Sequence, residues 1–93
     1  MKPEFEWNKE KAEKNIIKHF VSFNEAMSVF DSSVFITVVD EEHSTDEERY
    51  ISIGLSKNGR LLMVAHTDRD GRIRIISARK ATRKEEKFYA EAG

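Results

Sequence analysis

An α+β fold is predicted, with two N-terminal helices packed on a mainly antiparallel sheet of four to five strands and a short C-terminal helix. Three observations predict it. Two helix-capping signals stand before residue 31. Four β-branched or alternating runs follow, with Asn58-Gly59 and Asp70-Gly71 as hairpin signals. Another capping box, Thr82 to Glu85, comes after the last run. With 93 residues and an apolar fraction of 39%, there is material for one modest core, so residues 1–93 are expected to form one domain.

Phe5 to Trp7 alternates and reads as a first strand. Asn8 is placed to cap a helix over Lys9 to His19, because its side-chain oxygen can accept from the first-turn amides. Ala12, Ile16 and Phe20 recur at i, i+4 and i+8 and predict its apolar face, with Asn15 and His19 beside them. Lys18 and His19 fall in the last turn, where positive charge suits the helix dipole. Ser22 to Glu25 is a capping box, and Val21 is placed to staple onto Ala26. The helix it opens is expected to reach about Phe30, burying Phe23, Ala26, Met27 and Phe30, and to break at Asp31-Ser32-Ser33.

Val34 to Val39 reads as a strand, followed by an acidic loop over residues 40–48. Arg49 to Ser56 alternates, with Ile51, Ile53 and Leu55 on one side and Tyr50, Ser52 and Gly54 on the other. Leu61 to Thr67 and Arg72 to Arg79 complete an antiparallel meander. The helices should cover one sheet face, leaving the other to Tyr50, Ser52 and Gly54.

The net charge of −1 hides an asymmetry. Residues 40–48 hold six acids and no Lys or Arg, whereas residues 57–87 hold ten Lys/Arg against four acids. A polyanion surface and a polyanion-repelling surface are both expected. No run approaches the roughly 20 apolar residues of a membrane span, and no secretory signal is expected, so the chain reads as cytoplasmic. The absence of cysteine removes disulfides, thiolate metal sites and cysteine nucleophiles. No phosphate-binding glycine loop, nucleophile elbow or His-Glu-x-x-His motif is present. The acidic loop, with Asp40, Glu41, Glu42, His43 and Asp46, is the one metal-like grouping. Such loops are mostly solvated, so no metal or cofactor is expected.

The last strand is more informative. In Arg72-Ile73-Arg74-Ile75-Ile76-Ser77-Ala78-Arg79-Lys80, Arg72 and Arg74 share a face. Arg79 has the opposite parity, so the strand either bulges near Ile75-Ile76 or ends at Arg79. Guanidinium donors match phosphate geometry. The plainer reading is an exposed strand face, with Arg79 in an ion pair with Glu48 or Glu85.

Phe5-Glu6-Trp7-Asn8, Lys11, Asn15 and Lys18-His19-Phe20-Val21-Ser22-Phe23-Asn24-Glu25-Ala26 together resemble the opening of the BrnT toxins. So do Asp40, His43-Ser44, Asp46-Glu47-Glu48-Arg49 and Ile53-Gly54-Leu55-Ser56 in the middle. Leu62-Met63-Val64-Ala65-His66-Thr67 and Arg74-Ile75-Ile76-Ser77-Ala78-Arg79-Lys80-Ala81-Thr82 extend the likeness. Asn8 stands where that family usually has Asp, and Phe20 where it has Gly. The resemblance implies a RelE-like fold and a ribonuclease that stops translation. It also implies a ribbon-helix-helix antitoxin, BrnA-like, in a heterotetramer that meets operator DNA only through the antitoxin. RNA is then the substrate and no membrane is involved.

On that reading the ribose 2′-hydroxyl attacks the adjacent phosphate without a metal. Arg79 and Arg74 are expected to hold the phosphate, with proton transfer by His66, Glu48 or His19 and positioning by Arg49. Arg72, Lys80, Arg83, Lys84 and Lys18 would track the backbone, and Tyr50 or Tyr89 would stack a base. The alternatives are a catalytically inactive module of the same fold, docking a partner protein or nucleic acid, and a DNA-binding regulator. The last is weaker, since the basic residues fall on strand and turn.

Overall fold

A computed structural model describes residues 3–92. Strand β1 (Glu4–Trp7) precedes helices α1 (Lys9–His19) and α2 (Phe23–Met27) and a 3-10 turn (Ser28–Asp31). Then come β2 (Phe35–Val39), a second 3-10 turn (Glu41–His43), β3 (Tyr50–Leu55), β4 (Leu61–Arg69), β5 (Arg72–Lys80) and α3 (Arg83–Ala92). The five strands form one mixed sheet in the order β1-β5-β4-β3-β2. The meander is antiparallel throughout, as the hairpin signals predict, and β1 joins its far edge parallel to β5.

Local chemistry sets the boundaries. Asn8 Oδ1 accepts from the Lys11 amide (3.1 Å) and starts α1. Ser22 Oγ accepts from the Glu25 amide (3.0 Å) and starts α2. The Glu25 side chain does not complete that capping box; it turns inward to Arg60 and to the Ser56 hydroxyl. Thr82 and Glu85 make both bonds of theirs, at 2.9 and 3.2 Å. Asp70 and Gly71 both take positive φ (49° and 80°), the conformation of a two-residue turn matched to strand twist.

The core lies between α1, α2 and one sheet face. Val21, Phe23, Ala26 and Val29 meet Leu62, Val64, Ile75 and Ala78 there. The helix after Ser22 tightens to 3-10 geometry at Ser28, which buries Val29 and leaves Met27 and Phe30 half-buried. Phe5 packs on Phe30 and Trp7 edge-on to Phe23, so β1 contributes its aromatic side to the same core.

Two expectations are corrected. Ser52 and Gly54 do not lie on an uncovered face; both are buried beneath the helical layer. A Cβ at Gly54 would sit 2.8 Å from Phe35 Cβ and 3.0 Å from Val29 Cγ1, so glycine there admits the 3-10 turn to the sheet. The opposite face carries Ile51, Ile53, Met63 and Ala65, and α3 lies against β2 and β3. Nor is the face of α1 bearing Ile16 and Phe20 the one that packs. Ile17 and Phe20 are each 78% exposed and Ile16 47%, while Asn15 is 6% exposed and Ala12 half-buried. Phe20 takes a left-handed conformation (φ 59°, ψ 33°), costly for a residue with a Cβ by roughly 1–2 kcal/mol. Arg60 donates to its carbonyl oxygen at 3.1 Å.

Asn15 does what an apolar residue could not. β1 runs beside β5 only as far as Trp7 opposite Ile75. Just beyond, the Asn15 carboxamide docks on the bare edge of β5 as another strand would. Its Nδ2 donates to the Ala78 carbonyl (2.8 Å) and its Oδ1 accepts from the Ala78 amide (3.1 Å). Nδ2 also donates to the Val21 carbonyl at 2.9 Å.

Asn15→Ala is expected to leave these buried backbone groups unpaired and to cost roughly 2–4 kcal/mol in urea denaturation; a loss below about 1 kcal/mol would show the pairing to be dispensable. Glu25, 4% exposed, is held below its ordinary value of 4.5 by the Arg60 guanidinium, with the Ser56 hydroxyl helping. Because the folded value is depressed, this stabilisation is complete above pH 4.5 and is lost as pH falls through the folded value. The stability gap between the wild type and Glu25→Gln should therefore be widest near neutral pH and narrow in acid. A gap that does not change with pH would refute the assignment.

Candidate active site

The parity problem in β5 is resolved by a bulge. Ala65 faces Ser77 and His66 faces Ile75, so Ile76 is an extra residue. Before it, Arg72 and Arg74 point away from the core. After it, Ala78 takes the core side, which returns Ser77 and Arg79 to the face of Arg72 and Arg74. All three strand arginines thus share the side opposite α1 and α2.

Each is already partnered. Arg72 donates to Glu4 (3.1 Å) and Arg74 to Glu6 (2.9 Å), the residues beside them on β1. Arg79 makes a two-pronged bond to Glu85 at 2.8 and 2.9 Å. That guanidinium, with the Thr82 backbone, holds the Glu85 carboxyl below its usual range. A third N–H of Arg79 goes to the Lys80 carbonyl (3.1 Å), and two of its five N–H groups have no partner among the described residues.

Arg79 borders a groove of about 320 Å³. Ile51, Met63 and Ala65 supply apolar lining, with Ser77 beside Arg79. Arg49 and the Asp40–His43 segment line it as well. Ser44 fixes that segment. Its hydroxyl donates to the Asp40 carbonyl (2.7 Å) and accepts from the Arg49 amide (2.8 Å), and the Asp40 amide donates to the Arg49 carbonyl (2.8 Å). The acidic loop is therefore knotted at its base. Within it, His43 Nδ1 and Asp40 Oδ2 lie 2.9 Å apart. A carboxylate on one ring nitrogen orients the imidazole and leaves Nε2 for other chemistry.

The remaining sequence-predicted residues are placed as follows. Arg49 and Arg79 meet in the groove. Arg74 and Arg72 share its face and sit beside β1. His19 and Lys18 line a separate hollow between α1 and β5. Lys80, Arg83 and Lys84 are exposed around the start of α3. Glu48 accepts from the Tyr50 hydroxyl (2.8 Å), which pushes that phenol's pKa up. Tyr89 donates to the Val34 carbonyl at 2.9 Å.

His66 lies on the core side. It is 5% exposed, packed edge-on to Phe30 and stacked on Tyr50, with Nε2 2.8 Å from Ser52 Oγ. Burial pushes its pKa down, opposed by Asp68. The sequence reading left Asp40, His43 and Ser77 out of the site. The Asp-x-x-His spacing was the available signal, since one helical turn brings i and i+3 together. Among the described residues no group of three or more His, Asp or Glu is arranged to hold a metal ion.

No curated protein matches the chain significantly. Among solved structures, the chain is similar to the ribonuclease toxin BrnT of Brucella abortus, whose crystal structure was determined at 1.1 Å resolution. The TM-score is 0.63 at 20% identity, covering 87% of this chain and 99% of that one. A family model described as the ribonuclease toxin BrnT of type II toxin–antitoxin systems matches residues 7–85. That span takes in every strand from β2 to β5, the bulge, the groove and Glu85, and the chain belongs to the BrnT family of ribonuclease toxins.

Proposed function

We propose that RNA is cut in the groove between β5 and the Ser44-knotted loop. The observation that carries this reading is the bulge at Ile76, which brings Arg79 into one groove with Arg49 and the Asp40-oriented His43. Glu85 fixes the Arg79 guanidinium while two N–H groups stay free, a preorganised seat for a phosphate. Ile51, Met63 and Ala65 give the flanking base or ribose an apolar bed.

In the proposed reaction the ribose 2′-oxygen attacks the adjacent phosphorus and the 5′-oxygen departs. A 2′,3′-cyclic phosphate and a 5′-hydroxyl are left. His43 takes the 2′-hydroxyl proton and solvent water protonates the departing 5′-oxygen, so the proton count balances without a metal. Arg79 and Arg49 offset the charge that builds on the phosphorane. Arg74 and Arg72 lie further along the same face, with the backbone path extending over Lys80, Arg83 and Lys84. The toxin's partner on this reading is a ribbon-helix-helix antitoxin, and the outcome of cleavage is arrested translation.

A second reading, a docking module that does not cut, draws on the fact that Arg72, Arg74 and Arg79 are all ion-paired within the chain. Expression in a host separates the two, because a docking module is tolerated. Arg79→Ala is expected to lower cleavage by about 10²- to 10³-fold and abolish growth inhibition while the protein stays folded; a variant that remains toxic overturns the site. His43→Asn, which keeps a polar group but cannot shuttle a proton, should lower cleavage by about 10²-fold or more. Unchanged turnover would remove His43 from the mechanism. Cleavage is also expected to persist in EDTA and to leave cyclic-phosphate ends. Activity that requires added divalent metal would contradict the proposed chemistry.

A further inference from the structure

We infer that the hollow between α1 and β5 is a second RNA subsite, which holds the phosphate backbone of nucleotides flanking the cleaved linkage. This rests on the ribonuclease reading of the groove. Lys11, Lys14 and Lys18 recur at i, i+3 and i+7, which places them in one stripe along α1. With His19, Ile76 and Ser77 they line a hollow of about 170 Å³. Every ionisable residue lining it is basic, whereas the groove carries Asp40 and Glu42.

Ser77 borders both depressions, so a single residue of β5 separates them. Two of the directions open to a strand of RNA held at Arg79 differ sharply in charge. Past Asp40 and Glu42 its phosphates meet carboxylates; past Ser77 they meet three lysines. The bulge is what brings the two depressions side by side. It turns Ser77 to the groove side while Ile76 takes part in the hollow, at the stretch of edge that β1 no longer covers. Asn15 holds α1 against this edge through Ala78, and that fixes the distance from the lysine stripe to Arg79.

The test compares 2′-O-methyl RNA, which cannot be cleaved, as a dinucleotide and as a hexanucleotide, by fluorescence anisotropy across a salt series. Wild-type protein should bind the hexanucleotide more tightly and with the steeper salt dependence. In Lys11→Gln/Lys14→Gln the hexanucleotide affinity should fall roughly tenfold, and its salt slope by about 1.4, since each single-strand phosphate contact contributes about 0.7. An unchanged slope with an affinity within twofold of wild type would overturn the subsite, as would failure of the wild-type protein to distinguish the two lengths. Should the double variant not fold, Lys14→Gln alone, with an expected slope loss of about 0.7, gives the same reading. Cleavage of ordinary RNA by wild-type protein is scored separately. If the slope falls but nothing is cut, the subsite stands and the reading of the groove fails.

Discussion

The pairing of the Asn15 carboxamide with the backbone of Ala78 organises much of this molecule. A strand edge left bare in the interior would strand an amide and a carbonyl without partners, at a cost of about 1–3 kcal/mol each. Continuing β1 would satisfy them, but would also cover the edge where α1 and β5 form their hollow. One side chain from a helix satisfies the same groups with far less bulk. It also fixes the parity of β5 after the bulge, because Ala78 must present its edge to Asn15 and its methyl to the core. Ser77 and Arg79 then have to face the other way.

The charged residues follow a related logic. A face with Arg72, Arg74 and Arg79 side by side would repel itself and tie up solvent. Glu4, Glu6 and Glu85 answer each charge in turn, from β1 and from the capping box of α3. The exposed pairs add little to stability, since water and salt screen them. Their effect is to hold the guanidiniums in place. Glu85 serves two structures at once, starting α3 at Thr82 and clamping Arg79, so the helix start and the fixed guanidinium are one construction. The pair of buried Glu25 with half-buried Arg60 plays a different part, joining α2 to the β3–β4 hairpin and, through the Phe20 carbonyl, to the end of α1.

The meander was legible because its turns carry their own chemistry at Asn58-Gly59 and Asp70-Gly71. The β5 irregularity was legible in the parity of its arginines, and Arg49 and Arg79 both line one groove. What misled was relative polarity. Ile51, Ile53 and Leu55 are more apolar than Tyr50, Ser52 and Gly54, so alternation alone selects them for the helical side. The structure has a second layer, α3, which gives apolar residues a reason to face the other way, and Gly54 is small because Val29 and Phe35 press on it. In α1 the packing contact is polar, and no hydrophobic period reveals a face whose buried residue is Asn15. His43 read only as part of the acidic, metal-like loop for a similar reason: within six acids its charge neighbours are obvious, whereas its bond to Asp40 depends on how the loop turns.

The parallel pairing of β1 with β5 also has a kinetic consequence. Glu4 and Arg72 are separated by 68 positions in sequence, so the first strand has no neighbour while most of the polypeptide is being made. Contacts of such long range form late, after the local hairpins and helices. The groove needs β5, and the clamp on Arg79 needs Glu85, which is synthesised later still. A nascent chain that ends before β5 therefore has neither a partner for β1 nor a complete groove. The Arg79 clamp and the groove it borders are thus complete only once the stretch through Glu85 has been translated.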